Sequence, residues 1–426
     1  MTSETTAPAL GLKQVAAVGA GNALAFYDFL TYAFFATQIG DTFFPVKNSD
    51  TRLLISLVVF GVSFLARPIG AMLIGTWADR AGRRPAMVLT FTMMGVSILG
   101  LALTPSYAAI GIASPIIAVT FRLLQAVALG GEVGPSTAYL IEAASPERRG
   151  LFAGFAAATQ DGGVLFAGIV GTVLSSLMTT QQLTNYGWRI AFIIGASIVP
   201  FGLIMRRRLT ETLVHEEAPA PLDYKPYIRI TVLGLLMLAA ATIGNYVLDF
   251  MTTYAGHTLH MNITVAFGAT VVIGLFNVTT DMLGGWLTDR FGRRPQMIFC
   301  YGLLAIVAVP LFWLIVRYRD AQMLFLGSAF ISTMLGIGGT PVVTAITESI
   351  PPRIRSGAMG TIYALSISVF GGSAQPMVQW LLIKTGNPLV PGYYMAAALV
   401  VGVIAALLLH ESAPRILAKR AVTAPA

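Results

Sequence analysis

One cysteine, Cys300, stands in a chain of 426 residues. A single thiol excludes a disulfide framework, a zinc cluster and an iron–sulfur site. Charge is scarce as well: 11% of residues are Asp, Glu, Lys or Arg, against about a quarter in an ordinary soluble domain. That excludes a water-soluble enzyme. Histidine occurs as His215, His257, His260 and His410, at loops and span ends, too scattered for a metal site. No phosphate-binding loop of the G-x-x-x-x-G-K-S/T type occurs, so ATP-driven pumping is excluded. The 43 glycines and 22 prolines form no low-complexity run, which removes disordered and collagen-like chains.

What fills the chain is apolar: 56% of residues are hydrophobic and mean hydropathy is +0.75. A bilayer core needs about 20 apolar residues per helix. Reading between charged and Pro/Gly-rich breaks gives twelve spans, at 14–40, 53–78, 86–104, 109–142, 150–176, 187–205, 228–256, 263–288, 296–316, 322–348, 356–383 and 391–410. The expected fold class is all-α and integral to the membrane. Lengths above 20 residues imply tilt, not further spans. The first apolar segment is too long for a signal-peptide core and is expected to be retained.

Twelve spans put both termini on one side. With them fall Lys13, Arg80, Arg83, Arg84, Arg148, Arg149, Arg206, Arg207, Arg208, Lys225, Arg229, Arg290, Arg293, Arg294, Arg353, Arg355, Arg415, Lys419 and Arg420. The opposite side holds only Lys47, Arg52, Arg189, Arg317, Arg319 and Lys384. This bias predicts cytoplasmic termini. It also explains the net charge of +8 without nucleic acid.

The chain repeats itself. Gly75-Thr-Trp-Ala-Asp79-Arg80-Ala-Gly82-Arg83-Arg84-Pro85 recurs as Gly285-Trp-Leu-Thr-Asp289-Arg290-Phe-Gly292-Arg293-Arg294-Pro295. Glu142…Pro146…Arg149-Gly150 recurs as Glu348…Pro351…Arg355…Gly357. Both pairs sit at equivalent span ends, which predicts six-span bundles over residues 1–205 and 228–426 joined by a linker at 206–227. In a transporter whose bundles rock, Gly75, Asp79, Arg80, Arg83, Arg84, Glu142, Arg149, Gly285, Asp289, Arg290, Arg293, Arg294, Glu348 and Arg355 would form a cytoplasmic gate of ion pairs. The plainer reading is that the arginines only anchor topology at the headgroups.

The duplicated G-x-x-x-D-R-x-G-R-R loop resembles the major facilitator superfamily. Within it, Gly21-Asn22…Tyr27-Asp28-Phe29, Arg67-Pro68-x-Gly70, Arg122-Leu-Leu-Gln125, Gly187-Trp188-Arg189-Ile190-Ala-Phe192 and Arg207-Arg208-Leu-Thr-Glu211-Thr212 resemble the metabolite–proton symporter branch. Phe43-Phe44-Pro45, Gly130-Gly131-Glu132 and Phe370-Gly371-Gly372…Pro376 are most similar to its citrate and tricarballylate members. The resemblance implies two pseudo-symmetric six-helix bundles and uptake coupled to protons. One departure stands out: many members of the branch carry a glutamate where this chain has Ala25. Either fewer protons are coupled, or another acid, Asp161 or Glu132, substitutes.

Seven ionisable groups fall well inside spans: Asp28, Arg67, Arg122, Glu132, Asp161, Asp249 and Asp281. Each would cost roughly 2.5–3.5 kcal/mol against lipid, so they must face a cavity or one another. In span 4, Arg122, Gln125, Leu129, Glu132 and Ser136 share one helical face. Arginine keeps its charge, whereas an aspartate can exchange a proton. Asp28 is the principal proton-coupling candidate, opposite Arg122 as in other symporters of the resembled superfamily, and Glu132 is the second. A fixed ion pair is the alternative. Arg122 and Arg67 suit carboxylates, whose two oxygens accept from a forked donor; structural pairing with Asp28 is the alternative for each. Asn22, Tyr32, Gln125, Gln160, Asn245, Tyr246, Asn277, Tyr363, Ser366 and Gln375 complete the candidate substrate set, although such residues also pack membrane helices together. Asp249 and Asp281 each follow an asparagine by one turn, Asn245 and Asn277, and are read first as local helix bonds, a cation site or a second proton being the alternatives.

The expectation is a proton-coupled secondary transporter taking up citrate or a related tri- or dicarboxylate. It would act as a monomer in a bacterial cytoplasmic membrane, with small organic anion, proton and lipid as partners and no cofactor. Nothing resembles a nucleophile–base constellation, so no enzyme is expected. A carrier for betaine or a shikimate-type monocarboxylate is one alternative, and a carboxylate receptor that does not transport is another.

Overall fold

The computed structural model describes residues 12–81, 83–142, 149–207, 227–350, 359, 361–413 and 416. Among them there is no strand. Span 1 is Leu12–Phe34 continued by Ala36–Phe43, and span 2 is Ser49–Ser63 with Ala66–Ala81. Spans 3 to 6 are Arg83–Leu103, Ala113–Glu142, Arg149–Leu177 and Trp188–Arg207. Span 7 is Ile228–Asp249, extended by Met251–Thr253 and a π turn at Tyr254–Thr258. Spans 8 to 10 are Ile263–Phe291, Arg293–Tyr318 and Ala321–Ser349. Span 11 carries a π-helical stretch, Ser366–Gly371, before Gly372–Thr385, and span 12 is Val390–Leu408. Eight of these, within the described residues, are by themselves long and apolar enough to cross a bilayer.

Helices are the form that satisfies every backbone group without water. The outer surface is correspondingly apolar, with Ile69, Met72, Leu103, Leu177, Phe299 and Ile306 all exposed. Inside, one core gathers Phe60, Phe64, Phe91, Trp188 and Phe192, and a second gathers Met237, Tyr301, Phe312 and Met395. The two cores interlock. Leu53 and Leu57 of span 2 pack into the second, and Tyr246 and Phe267 of spans 7 and 8 pack into the first. Cys300 is buried in span 9, with Gly338 of span 10 lying over its Cβ.

Three prolines explain local features that hydropathy does not. A proline offers no N–H to the carbonyl four residues earlier and crowds it. Pro68 therefore breaks span 2 at Phe64–Leu65, and the freed Phe64 carbonyl accepts from Ser368 Oγ of span 11 at 3.0 Å. Pro341 frees the Ile337 carbonyl of span 10, which Gln296 Nε2 of span 9 takes at 2.6 Å. Pro376 frees the carbonyl of Gly372, and that oxygen faces Gly61 so closely that a Cβ there would collide with it.

The start of span 1 and the end of span 12 lie on one side, here the terminal side; the opposite one is the far side. The far halves of the two bundles are in contact. Thr253 Oγ1 donates to the Ala33 carbonyl at 3.2 Å, and Thr264 Oγ1 to that of Ser175 at 3.2 Å. Phe35 meets Phe267 at 4.8 Å between ring centroids. At the rim, His257 Nε2 lies 2.9 Å from Asp50 Oδ1.

Candidate functional site

Spans 1, 2 and 4 bring three of the buried charges together. Asp28 and Arg122 are each 1% exposed and Arg67 9%. Asp28 and Arg122 face one another across the cluster, but they do not form the direct ion pair that was the alternative reading. Gln125 stands between them, its Nε2 donating to Asp28 Oδ2 and its Oε1 accepting from Arg122 Nη1. The reason is helical: Gln125 follows Arg122 by three residues on the same face of span 4, so the amide occupies the gap. The relay leaves groups over. Arg122 Nε and Nη2, Arg67 Nε and Asp28 Oδ1 are buried with no hydrogen-bond partner.

Both guanidinium groups lie on aromatic faces. Arg122 sits 4.2 Å from the Tyr32 ring centroid and 5.0 Å from that of Phe29. Arg67 sits 4.2 Å from both Phe29 and Phe64. Phe29 thus lies between the two cations. Tyr246 of span 7 closes the cluster, 5.4 Å from Phe64. Arg67 also has Tyr246 and Tyr363 of the other half as its electrostatic neighbours. A stacked arginine keeps its edge donors free while its face is held. Sequence reading missed the role of Phe29, Phe60 and Phe64, because phenylalanine in a span carries the same signal facing lipid or facing a cation.

The other sequence candidates divide. Gln375 Nε2 donates to the Tyr246 carbonyl at 3.3 Å while its Oε1 has no partner. Ser366 Oγ donates to the Leu235 carbonyl at 3.5 Å, a contact within the second half. Asn277 does not bond to Asp281; its Nδ2 donates to Asp161 Oδ1 of span 5 at 3.2 Å. Gln160 and Tyr363 are half-buried and Asn245 is exposed. Asp249 makes no hydrogen bond to Asn245; its electrostatic neighbour is Asp161. The side chains of Asn22 and Glu132 lie outside the described structure.

At the terminal side, Asp289 accepts from the backbone N–H groups of Gly150 at 3.1 Å and Leu151 at 3.0 Å. A carboxylate thereby caps the start of span 5 from the other half. The repeated glycine is explained by the same contact. A Cβ on Gly285 would collide with the Gly150 carbonyl, and one on Gly150 would meet Asp289. Asp289 also pairs with Arg293 at 3.1 Å, and Arg293 with Glu348 at 2.9 Å. Glu411, which sequence reading passed over, accepts from the Arg293 and Arg294 amides at 3.0 and 3.1 Å and caps span 9. Arg294 donates to the Leu407 carbonyl at 2.7 Å, and Arg290 rests on Trp286, so neither enters the Asp289 cluster. Gly75 lies within the helix Ala66–Ala81, while the side chains of Asp79, Arg80, Arg83, Arg84, Glu142 and Arg149, with the whole of Arg355, lie outside what is described.

Known proteins agree with this architecture. The Major Facilitator Superfamily profile matches residues 18–376 and again 234–424. The chain is 30% identical over 403 residues to the citrate-proton symporter of Klebsiella pneumoniae, across 92% of this chain and 90% of that protein. It is 33% identical over 410 residues to the alpha-ketoglutarate permease of Escherichia coli, across 93% of each. It is 29% identical to a Staphylococcus aureus protein named for proline and betaine transport, across 94% of this chain and 88% of that one. The crystal structure of a D-xylose-proton symporter superposes with a TM-score of 0.75 at 18% identity, across 94% and 98%. With twelve helical spans and a matching profile over most of its length, the chain belongs to the Major Facilitator Superfamily, as a multi-pass membrane transporter and not an enzyme.

Proposed function

We propose that this transporter takes up a small organic carboxylate together with protons, citrate or a related tri- or dicarboxylate being the substrate. The observation that carries the reading is the pair of stacked guanidinium groups with unpartnered edge donors, Arg122 Nε and Nη2 and Arg67 Nε. Forked donors in a site of low polarity match a carboxylate's two oxygens. Asp28 is the proton site. Ionised, it competes through Gln125 for the charge of Arg122. Protonated at Oδ1, it releases that charge to the substrate, so proton and anion load together. Substrate contacts beyond the arginines come from Tyr32, Gln125, Gln160, Asn245, Tyr246, Asn277, Tyr363 and Gln375, with Asn22 as a further member, and Glu132 is the second proton-coupling candidate. The relatives named for citrate and alpha-ketoglutarate support the substrate class.

The terminal side is assigned to the cytoplasm of a bacterial inner membrane, a reading that the excess of basic residues on that side supports, and no cofactor beyond the proton is proposed. The bundles over 1–205 and 228–426 rock as units, gated at the terminal side by the Asp289 cluster and its counterpart at Asp79. A betaine carrier is the second reading, favoured by the name of one relative. A quaternary ammonium needs open aromatic faces, and here Tyr32, Phe29 and Phe64 already carry guanidinium groups. Counterflow of labelled citrate in proteoliposomes tests the choice. Block by tricarballylate but not by betaine or xylose is the expected result. Absence of citrate exchange in folded protein that exchanges another compound would overturn the substrate.

A further inference from the structure

A second group of acids lies away from the arginines, at the seam between spans 5 and 8, with Asp281 buried and Asp161 half-buried. Asp161 of span 5 accepts from Asn277 Nδ2 at 3.2 Å, and its carboxyl group is within hydrogen-bonding reach of that of Asp281, one turn along span 8. Asn277 and Asp281 are each 5% exposed. Asn277 Oδ1 and Asp281 Oδ2 are buried with no hydrogen-bond partner. Thr340 Oγ1 of span 10 donates to the backbone carbonyl of Asp281 at 3.3 Å, not to its carboxyl group.

Among the described residues, no lysine or arginine forms an ion pair with either acid. Span 7 contributes Asp249, a further acid. Asp28 of span 1 is tied to Gln125. Asp289, farther along span 8, is held by Arg293 and the amides of span 5. Glu348 of span 10 is held by Arg293. Two neighbouring carboxyl groups within a poorly polar seam resist being ionised together, and a single proton between them removes the repulsion and supplies the missing donor. The asparagine amide donates to Asp161 and so favours it as the ionised acceptor, which assigns the hydrogen to Asp281. Among the described residues no three acidic, histidine or cysteine side chains gather as a metal would require.

We propose that Asp161 and Asp281 share one proton across the seam between the two bundles, a proton-bearing site separate from Asp28. Its loss leaves two facing anions on opposite bundles, so protonation here biases the seam toward contact whatever the substrate is.

Infrared spectroscopy of the full-length protein in lipid nanodiscs tests this, with Asp28→Asn as the parent so that the first site is silent. Asp281→Asn should remove one C=O band of a protonated carboxyl group, and Asp161→Asn should shift that band without removing it. Size-exclusion chromatography and thermal unfolding verify the fold of each variant. If Asp281→Asn leaves the parent spectrum unchanged, or if sodium at neutral pH abolishes the band in the parent, the shared proton is wrong. The readout needs no transport, so it stands or falls independently of the carboxylate reading.

Discussion

At the scale of single residues, the decisive unit is acid, amide and guanidinium in series. Replacing Asp28 by Asn removes the exchangeable proton but keeps an oxygen for Gln125 Nε2. Uphill citrate uptake driven by a pH gradient should fall to background while exchange continues, and surviving uphill uptake would refute the proton assignment. Arg122→Lys is the sharper test of the proposed substrate site. Lysine keeps the positive charge but has neither the fork nor the flat face that lies on Tyr32. With one or two charge-assisted bonds lost, at about 1.5–3 kcal/mol each, KM for citrate should rise roughly 10- to 100-fold or more. The three charges were legible in the sequence because ionisable residues inside spans are costly enough to need a reason. The bridging role of Gln125 was not, since a polar residue one turn from an arginine reads equally as ligand, packing or relay.

Among the elements, the breaks in spans 2 and 11 carry more information than the spans themselves. Each follows from a proline, and each exposes a carbonyl at the same seam, Phe64 toward Ser368 and Gly372 toward Gly61. The two contacts make different demands. Ser368→Ala removes one neutral hydrogen bond and should cost about 1 kcal/mol, read as a small drop in thermal stability with transport retained. Gly61→Leu cannot be accommodated while Gly372 stays where it is. Transport should be lost and the far side held open, measured as increased labelling of cysteines introduced into that seam. Loss of transport without increased far-side labelling would count against the seam as a moving contact. Twelve spans could be read from hydropathy alone, yet their interruptions could not, because a proline in a membrane helix leaves only a permissive signal. What it does to the chain is settled by whichever neighbour takes the freed carbonyl.

For the whole molecule, the far halves meet around spans 1, 2, 5, 7, 8 and 11, and Asp289 joins the halves at the terminal side. Asp289→Asn would weaken two bonds to the start of span 5 and remove the charge facing Arg293. Counterflow rate should fall several-fold with KM nearly unchanged, because the residue touches the seam and not the arginines. The repeat of the G-x-x-x-D-R-x-G-R-R loop made such a contact foreseeable, whereas Glu411 had no motif to announce it and acts only because span 12 ends beside span 9. Orientation is tested by labelling intact cells: Lys384→Cys, exposed on the far side, should react with an impermeant maleimide, and His410→Cys, exposed on the terminal side, should not.

Cys300 gives such measurements an unusual convenience. Its sulfur is enclosed between spans 9 and 10, with Gly338 against its Cβ and 1% of the residue exposed. A bulky reagent has no approach to it while the protein is folded. The natural sequence is therefore its own unlabelled blank, and a spin label or fluorophore attached to one introduced cysteine reports from that place alone. Distances between the bundles can be followed through a transport cycle without first stripping the chain of native thiols.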